Sequence, residues 1–94
     1  MNFENVEIPW SDKLIMICTR CGAKTNAPDC SERMKSELKT EIKETNQKEK
    51  FRAISTSCLS ICPENRVAIV TISRGGSHKA VTVEPEYSAR LEDF

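Results

Sequence analysis

The chain has 94 residues, of which 38% are hydrophobic and 30% charged, and its 14 Lys and Arg balance 14 Asp and Glu. That length supports one domain with a modest core, while the balanced charge excludes a basic nucleic-acid surface or attraction to anionic lipid as the organising feature. No apolar run is long enough to cross a bilayer, so neither nucleic acid nor a membrane is an expected partner.

Residues 1–12 are acidic and lack the positive start and apolar run of a secretory signal. Cytoplasmic location is the expectation. Phe3, Val6, Ile8 and Trp10 are scattered there without a period, and Pro9 interrupts them, which predicts a loose N-terminal arm or an edge strand. Residues 13–94 then form the domain. Five cysteines, an odd number, in a reducing compartment point to metal or redox chemistry rather than to a disulfide framework.

Lys13–Cys18 holds the continuous run Leu-Ile-Met-Ile, which predicts a strand buried on both faces. Residues 19–29 contain Gly22, Asn26 and Pro28 and read as a loop. Asp29 followed by Glu32 has the form of a capping box that opens a helix. Met34, Leu38 and Ile42 recur every four residues along it, giving a narrow apolar stripe with a solvated charged face over residues 32–50.

Phe51–Thr56 has the composition of a second strand and residues 67–72 of a third, rich in β-branched side chains. Arg74-Gly75-Gly76-Ser77 is a hairpin turn that returns the chain along residues 79–83. Pro85 suits the first turn of a closing helix in which Tyr87, Leu91 and Phe94 share one face. The expected class is therefore α/β, a β-α-β unit followed by β-β-α, with a four-stranded mixed sheet and flanking helices.

Cys18 closes the first strand, Cys30 sits near the start of the helix, and Cys58-Leu-Ser-Ile-Cys62 follows the second strand. In a β-α-β unit both strand ends lie on one edge of a parallel pair, so these loops meet in space. Soft thiolates converging from two loops are what zinc or an iron-sulfur centre requires. Cys18-Thr-Arg-Cys21 forms a further pair, and Leu59 and Ile61 read as packing residues. His78, after the hairpin turn, reads as a solvated side chain.

With the strand Leu14-Ile-Met-Ile17 running into Cys18, a helix after Cys30, the Cys58/Cys62 clip and the strand over 67–72, the chain resembles the thioredoxin-like [2Fe-2S] ferredoxins. That resemblance implies a thioredoxin fold and a [2Fe-2S] cluster held by Cys18, Cys30, Cys58 and Cys62. It also implies one-electron exchange with a redox partner protein, no enzymatic activity, and often a homodimer, to which residues 6–10 would contribute. The chain is also similar to small bacterial domains described as predicted metal-binding proteins, with Cys-Thr-x-Cys and Cys-Leu-x-x-Cys motifs; on that pattern Cys21 replaces Cys30 as the fourth ligand. Loop spacing and a helix N-terminus favour Cys30.

Two other functions use the same residues differently. In a structural zinc site, Cys18 and Cys21 would form a knuckle. In a thiol-disulfide oxidoreductase they would form the redox pair, but the expected helix start near Asp29 places no helix directly after them, and the Cys58/Cys62 clip would have no role.

Overall fold

The computed structural model describes residues 4–61 and 63–94. In chain order they form β1 (Lys13–Cys18), α1 (Thr19–Ala23), α2 (Cys30–Glu44), β2 (Phe51–Thr56), β3 (Val67–Ser73) and β4 (His78–Val83), followed by a short 3₁₀ turn at Leu91–Asp93. The sheet order is β2-β1-β3-β4. β1 and β2 run parallel, with Cys18 opposite Thr56, while β1–β3 and β3–β4 are antiparallel. This is the mixed four-stranded α/β class that the element order predicts. No helix among the described residues is long and apolar enough to cross a membrane.

The core lies between α2 and one face of the sheet. Met34, Leu38 and Ile42 pack there against Ile15, Ile17, Ala53, Val67 and Ile69. The period-four stripe along α2 thus meets the period-two rows of the strands, as their side-chain geometries require. Leu14 and Met16, on the opposite face of β1, are only half-buried. The continuous apolar run therefore marks a central strand with one fully covered face.

The helix α2 starts and stops for different reasons. Asp29 occupies the N-cap position, but its side chain makes no capping hydrogen bond. The expected capping box does not form, because Glu32 turns to Lys35 at 2.7 Å. The Lys35 ammonium, together with the Ser55 hydroxyl, holds the Glu32 carboxyl below its usual value. At the C-terminus Asn46 adopts φ 57°. The Gln47 amide donates to the Ile42 carbonyl and the Asn46 amide to the Lys43 carbonyl. That pair is a Schellman closure, with Asn in the left-handed position that glycine more often fills.

The sequence expectations need correction at one further place in the fold, the C-terminal segment. No closing helix forms after Pro85; apart from the 3₁₀ turn, the segment is irregular. Its backbone is held by α2 instead: Glu37 accepts from the Ala89 amide and Glu41 from the Leu91 amide, each at 3.0 Å. Arg33 donates to the Pro85 carbonyl at 2.6 Å. Positions 33, 37 and 41 form a stripe beside the core stripe, so this charged helix face is partly structural rather than wholly solvated. Among residues 4–12 no strand forms. The arm is anchored where Ser11 and Asp12 donate to the carbonyls of Glu49 and Lys50, and Val6 and Ile8 stay exposed.

Candidate metal centre

β1 delivers Cys18 to the sheet edge fully buried, and α1 begins on the next residue with Cys18 as its N-cap. The cap forms because Cys18 remains extended, at φ −76° and ψ 115°, while its sulfur accepts the Cys21 amide. α1 occupies the start of the predicted loop over residues 19–29, so a helix does follow Cys18 directly. The periodic apolar signal used to find helices is lacking in Thr-Arg-Cys-Gly-Ala, which is too short to show one.

Gly22 lets α1 press against the first turn of α2. A Cβ there would lie 2.1 Å from Ser31 Oγ and 3.3 Å from Cys30 Sγ. Ser31 uses that closeness to donate to the Cys18 carbonyl at 2.7 Å. Thr25 organises the following turn, donating to the Gly22 carbonyl at 2.7 Å and accepting from the Ala27 amide at 3.2 Å.

The loop after β2 closes over the same sheet edge. Thr19 donates from α1 to the Thr56 carbonyl at 3.0 Å, and the Cys21 thiol donates to the Ile61 carbonyl at 3.4 Å. Leu59 and Ile61 pack with Cys18, Cys21 and Ala68 in a small cluster of their own. Ser60, in the left-handed region at φ 61°, donates its amide to Cys58 Sγ at 3.3 Å.

Three thiols therefore share one pocket. Cys18, Cys21 and Cys58, with Arg20, Lys24 and Pro63, line a cavity of about 60 Å³ beyond the ends of the parallel strands. Burial raises the Cys18 pKa, but hydrogen bonds from backbone amides, that of Cys21 foremost and those of Leu59 and Arg20 after it, help to outweigh it, so the thiol lies below its ordinary value. Cys58, at the outer wall, is exposed.

Cys30 is placed elsewhere. It is 1% exposed within the main core cluster, and its sulfur lies 3.6 Å from Thr25 Oγ1. The shared pocket is lined by Cys21 and not by Cys30. Cys62, the second cysteine of the clip, lies outside the described residues. Among the described residues no group of three His, Cys, Asp or Glu side chains is already drawn together tightly enough to hold a metal ion. His78 stands apart in β4, exposed, its ring facing the Gly76 carbonyl at 3.1 Å.

No family model, curated protein or solved structure matches the chain. The chemistry of the pocket is thus read from its own residues. Three sulfurs line one cavity, backbone N–H groups donate to two of them, and two cationic residues stand at the rim.

Proposed function

We propose that the chain binds a [2Fe-2S] cluster through Cys18, Cys21, Cys58 and Cys62 and serves as a cytoplasmic one-electron carrier for a redox partner protein. The observation that carries this reading is that Cys18, Cys21 and Cys58 line a single pocket. Cys62 follows Cys58 in the same clip and supplies the fourth sulfur. Cys21 takes the place that loop spacing favours for Cys30, whose sulfur packs in the main core.

When bound, the cluster would supply reversible one-electron oxidation and reduction. The chain's own contribution is electrostatic and steric. Amides of Cys21 and Ser60 donate to the sulfurs of Cys18 and Cys58, each at 3.3 Å. Such donors disperse sulfur charge and set the potential, while Leu59 and Ile61 keep water from the inner side. The exposed Cys58 side offers the path for electron exchange.

A specific observation favours zinc as a second reading. Cys18 and Cys21 form a knuckle closed by the Cys21 amide on Cys18 Sγ, an arrangement a single tetrahedral ion uses directly. Both readings use the same four residues. Metal analysis of anaerobically purified protein separates them: iron with equal acid-labile sulfide supports the cluster, and one zinc per chain supports the structural ion. A metal-free protein carrying a reducible Cys18–Cys21 disulfide would replace both with a thiol-disulfide function.

A further inference from the structure

A second cavity, of about 290 Å³, lies at the opposite end of β2, between the C-terminal half of α2 and the start of that strand. Lys39, Lys43, Lys48 and Arg52 stand around it, and no carboxylate lines it. In a chain whose charges balance overall, four cations at one cavity are a local concentration. Among the described residues none of the four forms an ion pair or a side-chain hydrogen bond; Lys39 acts only at a distance on Glu32. All four are exposed, so their side chains can turn towards a ligand that enters the cavity.

The remaining walls are apolar. Ile42 and Ala53 are buried and Phe51 is half-buried, and these three form the floor beneath the cationic rim. A cation rim over an apolar floor matches a ligand with the same two parts, an anionic head and a compact apolar body. A monocarboxylate would leave most of the rim unused. A phosphate monoester brings about two negative charges and three acceptor oxygens near neutral pH, enough to engage several lysine ammoniums at once.

We propose that this cavity binds an organic phosphate monoester, its phosphate on Lys39, Lys43 and Lys48 and its apolar body on Phe51, Ile42 and Ala53. The site is independent of the cysteine pocket, since it sits at the start of β2 and the thiols lie beyond its end. Its occupation needs no metal.

The test is titration of phenyl phosphate into the ¹⁵N-labelled protein at low salt, followed by amide shifts. Saturable shifts confined to residues 39–43 and 48–53, weakened by added salt and by about tenfold in Lys43→Glu, are expected. Lys79→Glu, the same charge change on exposed β4, should leave the affinity unaltered. Equal weakening by Lys79→Glu would reduce the effect to overall charge and overturn the site. Equally tight binding of inorganic phosphate would overturn the role of the apolar floor. Shifts at these amides with a glutamate-rich peptide but not with phenyl phosphate would replace the proposal with a protein partner. Absence of saturation with every probe would overturn it outright.

Discussion

The Cys21 amide donates to Cys18 Sγ at 3.3 Å, so the second cysteine of the pair prepares the sulfur of the first. The contact exists because β1 ends at Cys18 and the chain turns at once into α1, leaving an N-cap acceptor where Ser or Asp more often stands. Here a sulfur takes that role, and the same sulfur lines the cavity shared with Cys21 and Cys58.

Substitution of the sulfurs separates ligands from core. Cys18→Ser, Cys21→Ser, Cys58→Ser and Cys62→Ser are each expected to abolish metal retention. Cys30→Ala should retain it and lose about 1–2 kcal/mol of stability, because a buried sulfur in the α2 core leaves a small cavity. Metal content and thermal unfolding of the five variants give the comparison; retention by Cys21→Ser with loss in Cys30→Ala would restore Cys30 as the fourth ligand.

Gly22→Ala tests the packing that positions Cys18. The new Cβ would meet Ser31 Oγ at 2.1 Å and Ser31 Cβ at 3.1 Å, so Ser31 must move and give up its bond to the Cys18 carbonyl. A loss of about 2–3 kcal/mol is expected. In a Ser31→Ala background the nearest conflict is the softer 3.1 Å contact, and the penalty should shrink. Equal penalties in both backgrounds, measured by denaturant unfolding, would show that this close approach is absent.

The irregular C-terminal segment depends on carboxylates of α2. Glu41→Ala leaves the Leu91 amide without its acceptor next to a buried side chain, a loss of about 1–3 kcal/mol. Amide exchange should quicken at Leu91 and its neighbours while β1 and β3 keep their protection. Unchanged exchange at Leu91 would contradict the assignment.

Tyr87, the sole tyrosine, reports on the same segment. Burial, and then its hydrogen bond to Asp93 at 2.5 Å, push its pKa up to about 12 from an ordinary 10.0. The folded phenol keeps its proton to higher pH than the unfolded one, so its contribution to stability is whole below pH 10.0 and is lost as pH rises towards about 12. An ultraviolet absorbance titration should show this raised midpoint, and Asp93→Asn should lower it. A midpoint near the ordinary value in the native protein would contradict the contact.

The sheet was legible because its strands are short, rich in β-branched residues and set apart by Gly, Pro and Asn, and α2 was legible because Met34, Leu38 and Ile42 keep a strict four-residue spacing. Two elements were not. The five residues of α1 are too few for a period, and their helix follows from one sulfur cap and one glycine contact. Tyr87, Leu91 and Phe94 have helical spacing, yet Tyr87 and Phe94 instead meet edge to face, with ring centroids 6.4 Å apart. Bonds from Glu37 and Glu41 hold that segment irregular, and partners so distant in sequence leave no local mark. The convergence of Cys18 and Cys58 was readable from strand order alone. Which of Cys21 and Cys30 lines the same cavity was not, because it turns on how α1 and the first turn of α2 face each other.

The most direct test of the thiolate centre is the metal and acid-labile sulfide content of the anaerobically purified chain. Iron and sulfide in equal amounts, in a brown protein that gives an EPR signal on one-electron reduction, is the predicted result. A colourless protein with neither iron nor zinc would contradict it.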